Sequence, residues 1–202
     1  MFHFRDAVAN HNWQGHMRVQ LCHTRRCQNT FTIGGPLCSE HMREEFGVEI
    51  RPSTIAQAGQ GVFTTRDICK GTHIIPYTGE HINVNEYEHR YGVRENSIYV
   101  LEGFNETYID SSLIRSTAAL CNTQVRENGT RTAYRRCNAE FDMPEKSEQL
   151  PESLQRYRHN PWVVAKRAIS AGEEIFVSYG DDYVVGLAGI TYHTRLEDYR
   201  CL

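Results

Sequence analysis

Apolar residues in this chain fall in short bursts broken by glycine, proline and charge. VEIRPSTIA (48–56) predicts a strand interrupted at Pro52. ICKGTHIIPYTGE (68–80) predicts strand, turn and strand, with the turn at Lys70-Gly71 and with Ile74 and Ile75 in the core. NEYEHRY (85–91) predicts a short helix, while SIYVL (97–101), TYID (107–110) and NAEF (138–141) predict short strands. In LIRSTAALC (113–121), Ile114, Thr117, Ala118 and Cys121 recur at helical spacing and predict a helix. Residues 124–136, basic around Asn128-Gly129, predict an exposed hairpin or loop; 142–160, with Pro144 and Pro151, predict a surface excursion. The stretch AKRAISAGEEIFVSYGDDY (165–183) turns at Ser170-Ala171-Gly172 and then predicts a strand. On that strand Ile175, Val177 and Tyr179 share one face, Phe176 and Ser178 the other, and Gly180 leaves Tyr179 at the tip. The fold class expected is mainly β with short helices.

Composition changes this picture little. The 202 residues are 40% hydrophobic and 23% charged, ordinary for one or two globular domains. No apolar run approaches the ~20 residues of a membrane helix, and the first residues lack an apolar signal region. The expectation is an intracellular, reducing setting, nuclear or cytoplasmic, with no membrane partner. A net charge of -3 disfavours binding nucleic acid through bulk positive charge and suits a basic partner. Glu173, Glu174, Asp181 and Asp182 read as a solvated acidic rim that would also suit a basic tail.

Seven cysteines in a reducing setting point to metal or free thiols rather than disulfides. Cys22, Cys27, Cys38 and His41 follow the spacing Cys-x4-Cys-x10-Cys-x2-His. Structural zinc takes four tetrahedral thiolate or imidazole ligands from two short pairs. The second pair is tight and falls at a predicted helix start before MREEF; Gly34-Gly35-Pro36 supplies the turn between the pairs. This predicts a zinc knuckle that staples a segment too small to fold alone. Its flank, Arg18, Arg25 and Arg26, is basic enough to touch nucleic acid, although a solvated face is the simpler reading.

The order of motifs is more specific than any one of them. Ala58-Gly-Gln-Gly61-Val-Phe precedes Tyr77-x-Gly79-Glu80, then Tyr108-Ile-Asp110, Asn122, Asn138 and Gly172-Glu-Glu174-Ile-x-x-x-Tyr179-Gly180. This set resembles a SET domain, the fold of protein lysine methyltransferases, over about 48–184. With the knuckle, the chain resembles the small SET proteins of protists and large DNA viruses. The division implied is a knuckle segment (1–47), a SET domain (48–184, insertion about 124–160) and a tail (185–202). The fold implied has small curved sheets around a knot-like C-terminal segment.

Site residues follow from the resemblance. Ala58, Gly59, Gln60 and Gly61 match the loop that cradles the methionine part of S-adenosylmethionine. Tyr99 matches an aromatic that contacts the cofactor. Asn122 and Thr123 match the Asn-His pair holding its amino group and adenine. Asn138 matches the asparagine after the usual Cys-x-Pro. Tyr77 and Tyr179 match the tyrosines lining the lysine channel, and Phe141 matches the position that tunes the number of methyls. The chain also departs from the family's pattern: the usual Arg-Phe-Ile-Asn-His-Ser reads Ala119-Leu-Cys-Asn122-Thr-Gln124, and the cysteine-rich segment that often follows the domain is absent. The function implied is transfer of methyl from S-adenosylmethionine, leaving S-adenosylhomocysteine, to a lysine on a basic, histone-like tail. Two other readings fit the same residues: a catalytically weak SET-fold binding module, and a nucleic-acid-binding zinc protein.

Overall fold

The computed structural model describes residues 19–31, 33–56, 58–92, 99–103, 107–123, 137–142, 150–177, 185–187 and 190–192. β1 (Gln20–Leu21) and β2 (Thr30–Phe31) form an antiparallel ribbon, and β3 (Ile33–Gly35) follows. One helical turn, α1 (Ser39–His41), runs on as a π-helical turn, Met42–Phe46. β4 (Val48–Pro52) and β5 (Gln60–Thr64) pair antiparallel, with Val48 opposite Thr64 and Pro52 opposite Gln60. β4 stops at Pro52, as the missing N–H requires.

β6 (His73–Pro76) and β7 (Glu80–Asn83) lead to α2 (Val84–Tyr91). The Asn83 side chain caps α2 by accepting from the Glu86 N–H at 2.9 Å. β8 (Val100–Glu102) and β9 (Thr107–Asp110) complete a sheet of order β7-β9-β8. Asp110, fully buried, accepts from Arg90 at 2.8 Å, from the Tyr91 hydroxyl at 2.7 Å and from the Ser112 N–H at 2.9 Å, fixing α2 to β9. β10 (Arg115–Ser116) pairs parallel with β3, which docks the N-terminal segment on the main body. β11 (Ala139–Asp142) and β12 (Trp162–Ala165) join β6 in a sheet of order β11-β12-β6. β13 (Val185–Leu187) and β14 (Ile190–Tyr192) form a hairpin.

One core runs through both segments. Trp162 and Val163 are fully buried with Val48, Val62, Ile175 and Val177, and Cys22, Leu37, Cys38, Met42 and Phe46 belong to the same cluster. Phe46 and Tyr157 each meet Trp162 edge to face and each other at a tilt, with ring centroids 6.1–6.3 Å apart. Each buried aliphatic side chain there contributes about 1.5–3 kcal/mol.

Three expectations change. Residues 113–121 do not form one helix but the short strand β10 and a 3-10 turn, Ala118–Leu120. Local hydroxyls and β3 take the N–H groups a helix would have used: Ser116 N donates to Ser111 Oγ at 2.6 Å, Ala118 N to Ser116 Oγ at 3.2 Å and Thr117 N to Gly35 O at 3.0 Å. The excursion expected over 142–160 turns inward in its second half: Leu150 and Tyr157 are buried, around a 3-10 helix, Glu152–Tyr157.

The third change sets up the site. Residues 174–177 do not form the expected strand but make isolated bridges, Glu174 with Phe63 and Phe176 with Asn122. Ile175, Phe176 and Val177 are all buried, because the chain threads between neighbours on both sides. Ile175 N donates to Val62 O at 2.8 Å on one side; on the other, Val177 N donates to Asn122 O at 3.0 Å and Ala139 N to Phe176 O at 3.1 Å.

Candidate functional site

The N-terminal ligand set converges. The donor atoms of Cys22, Cys27, Cys38 and His41 all lie within 4.8 Å of one another. Nδ1 of His41 is 3.6 Å from Cys22 Sγ and 3.1 Å from Cys38 Sγ. Zinc–sulfur bonds of about 2.3 Å and zinc–nitrogen bonds of about 2.0 Å, set tetrahedrally, put such atoms roughly 3.5–3.8 Å apart, so these residues fit zinc. Cys38 is the residue that enters α1, which places His41 one helical turn beyond it on the same side.

The amide of Asn29 donates to Cys38 Sγ at 3.6 Å, an outer contact that favours the thiolate. Burial pushes the Cys38 thiol up, but the His41 backbone N–H and the Asn29 amide outweigh it and hold the thiol below its ordinary range. Burial likewise pushes Cys22 up, and the Cys38 backbone N–H and the Thr24 hydroxyl bring it below. At Cys27 the Asn29 N–H pulls downward, but burial and the two neighbouring sulfurs leave the thiol raised.

The second site gathers on the threaded segment. Asn122, just after the 3-10 turn, donates from Nδ2 to Gln60 O at 2.9 Å and to Glu174 Oε1 at 3.2 Å, and its backbone bridges Phe176. Three motifs far apart in sequence therefore meet: the glycine loop, Asn122 and the GEEIF segment. Thr123 is buried, and its Oγ1 has no hydrogen-bond partner among the described residues. Gly59 has φ +77, and a Cβ there would meet nothing within 4 Å, so backbone and open space face each other. Gly61 is the opposite case: a Cβ would overlap Glu174 Oε1 and lie 2.9 Å from its Cδ. A buried hydroxyl without a partner next in sequence to Asn122, and an open glycine next to the Gln60 that Asn122 bonds, fit a polar ligand such as S-adenosylmethionine.

Gly61→Ala is expected to cost about 1–3 kcal/mol by overpacking against Glu174. For a chain of this size the melting midpoint should fall by about 3–9 °C, read by scanning calorimetry.

Tyr77 is buried, and its ring meets Phe141 edge to face at 5.7 Å, so these two channel candidates stand together. They come from the two outer strands of one sheet, on either side of β12: Phe141 lies on β11, and Tyr77 follows β6, its N–H donating to Pro161 O at 2.7 Å and its carbonyl accepting from Asn160 Nδ2 at 2.9 Å. Tyr99 is half-buried under the Arg115 guanidinium, which sits 3.1 Å above its ring. Ala58, half-buried, and the exposed Gln60 flank Gly59. Asn138 is buried and its amide faces the threaded backbone, Nδ2 donating to Glu174 O at 2.7 Å and Oδ1 accepting from Phe176 N at 2.8 Å. Tyr179 lies outside the described residues, as do Asp181 and Asp182. Cys121 is a core thiol: burial, with the Glu174 charge beside it, pushes it far above its ordinary range.

Glu174 is the residue that sequence reasoning missed. It is not part of a solvated rim: it is 3% exposed. Its carboxylate accepts from Ser53 Oγ at 2.7 Å, from Thr54 N at 2.7 Å and from Thr54 Oγ1 at 2.5 Å, besides Asn122. Glu173 differs: it pairs with the guanidinium of Arg167, which holds its carboxyl below the usual carboxylate range. Gly61 leaves room for this carboxylate, but a glycine alone carries no sign of a charged neighbour.

Small β-sheets surround a threaded segment on which the glycine loop and Asn122 meet, and the N-terminal segment carries a Cys3His cluster. The family model that matches is the SET domain, over residues 59–180, more than half of the chain. The chain belongs to the SET-domain family. Among solved structures it is similar to ctPRC2 in complex with H3K27me3 and H3K27M, at 22% identity and TM-score 0.50, covering 70% of this chain and 15% of that one. It is also similar to an autoinhibited ctPRC2 bound to S-adenosylmethionine (24% identity, TM-score 0.48, 68% of this chain and 15% of that one). A third is the Chaetomium thermophilum polycomb repressive complex 2 (22% identity, TM-score 0.48, 67% of this chain and 15% of that one). The chain thus spans about 15% of the length of these solved chains. No curated protein matches it. Among the described residues no helix is long and apolar enough to cross a membrane.

Proposed function

We propose that the chain is a protein-lysine N-methyltransferase that uses S-adenosylmethionine and holds a structural zinc at its N-terminal knuckle. The observation that supports this most is Asn122, which bonds Gln60 of the glycine loop while pairing with Phe176 of the threaded segment. The cofactor, when bound, supplies a methyl group on a sulfonium carbon. Everything else falls to the protein. The reacting amine must be uncharged and aligned about 3 Å from that carbon. Free lysine, with a pKa near ~10.4, lies roughly 3 units from neutrality, or about 4 kcal/mol. A dry aromatic channel disfavours the ammonium, and Tyr77 with Phe141 supplies two of its walls. Tyr179 is the residue we assign to orient the amine and the methyl; with a pKa of ~10 it is a poor general base. Gly59 and Gly61 let the backbone approach the cofactor, Thr123 offers it a hydroxyl, and Tyr99 an aromatic face. Asn138 contributes by holding the backbone at 174 and 176.

The substrate proposed is a basic, histone-like tail, in a nuclear or cytoplasmic setting, with the chain divided at about residues 47 and 184. Incubation with labelled S-adenosylmethionine and histones tests this; absence of transfer by folded protein that binds S-adenosylhomocysteine favours the second reading, a catalytically weak SET-fold module. The departures at Ala119, Thr123 and Gln124 motivate that second reading.

Phe141 carries no hydroxyl to pin a water beside the amine, so two or three methyls are expected. Phe141→Tyr should shift the product toward monomethyl-lysine, read by mass spectrometry of the peptide.

A further inference from the structure

The connection between β4 and β5 carries the glycine loop, and it is held from outside. Ser53 N donates to Gly59 O at 2.9 Å, and Ala58 N to Ile55 O at 3.2 Å, so the loop closes on itself at its base. The same Ser53 donates from Oγ to Glu174 Oε1 and accepts from Ile55 N at 3.0 Å. Thr54 gives Glu174 Oε2 both its N–H and its hydroxyl. Oε1 also accepts from Asn122 Nδ2, which donates in turn to Gln60 O. One buried carboxylate thus joins the start of the loop, its far end and Asn122, across 120 positions of sequence.

A buried carboxylate is costly unless its oxygens are satisfied. Among the described residues, the hydroxyls and N–H of two consecutive residues supply three of the four bonds to it. We propose that Ser53 and Thr54 are positioning residues for the cofactor loop: by clamping it to Glu174 they set the affinity for S-adenosylmethionine and its product, without touching the reacting atoms. This rests on the methyltransferase reading above. The clamp shapes the loop before the donor arrives, so its loss should fall on donor binding and leave the transfer step alone.

The test uses the full chain and the variants Ser53→Ala/Thr54→Ala and Ser53→Thr/Thr54→Ser. Hydrogen bonds to a charged group are strong enough that losing two hydroxyl donors should weaken S-adenosylhomocysteine binding, read by calorimetry, about tenfold or more. KM for the donor should rise by a similar factor, with kcat at saturating donor within about threefold of the parent. The Thr/Ser swap, which keeps both hydroxyls, should restore affinity to within about threefold. Binding by the Ala/Ala variant within threefold of the parent overturns the proposal, as does a loss that falls on kcat alone. Should the parent itself fail to bind S-adenosylhomocysteine, the methyltransferase reading fails. The clamp is then read by hydrogen exchange: amides of 53–61 must lose protection in the Ala/Ala variant and regain it in the swap, and equal protection in all three overturns it. Should the Ala/Ala variant not fold, Thr54→Val alone is measured against the same criteria.

Discussion

Cys38→Ser, or chelation of the native protein, is expected to collapse the whole chain's thermal transition and not only loosen its N-terminus. Cys38 is buried, enters α1 and stands 3.1 Å from the second ligand of its pair, His41. Structural zinc contributes roughly 10–16 kcal/mol of apparent binding free energy in small knuckles near pH 7. Whole domains are stable by only about 5–15 kcal/mol. The cluster that holds Cys22 and Cys38 also holds Val48, Val62 and Trp162, so loosening the knuckle opens the main core. Circular dichroism melts with and without chelator, alongside metal analysis by atomic absorption, check this. A chelated protein that melts at the same temperature would show the four ligands to be bystanders.

Tyr179→Phe carries the second large effect. The substitution keeps the apolar ring and removes the hydroxyl that would orient the amine. Loss of a single pre-placed polar contact at a reacting centre costs about 10²–10³ in kcat. Turnover of a lysine peptide should fall by that factor while affinity for S-adenosylhomocysteine stays within about twofold, since the ring itself remains. Single-turnover rates with calorimetry separate the two. Unchanged turnover would move the orienting role to another residue.

Much of this was legible from residue chemistry. The spacing of Cys22, Cys27, Cys38 and His41 encodes a ligand set because each pair is local and needs only one turn to form. The helix expected over 85–91 was readable for the same reason and runs Val84–Tyr91; its Asn83 cap emerged only with the structure. What failed to show were features fixed by partners far away in sequence. At 115–118 the hydroxyls of Ser111 and Ser116 and a distant carbonyl, Gly35 O, outcompete the helical period. The strand expected over 174–177 breaks into single bridges because its partners, Val62, Phe63, Asn122 and Ala139, come from separate stretches of the chain. Glu174 looked like surface charge because its satisfying donors, Ser53 and Thr54, are themselves ordinary polar residues. A buried carboxylate declares itself in sequence only when its partner is also charged.

The threaded segment has a consequence for the order of events on the ribosome. Asn122 leaves the exit tunnel long before Phe176 and Val177, yet its backbone partners are those two residues. At about 5–20 residues per second the gap lasts several seconds. During that interval Val62 O and Asn122 O lack the N–H partners that Ile175 and Val177 supply, and the apolar residues that pack on them lack that cover. Nascent chains stalled before residue 174 should therefore recruit holdase chaperones, and release should follow translation of the segment.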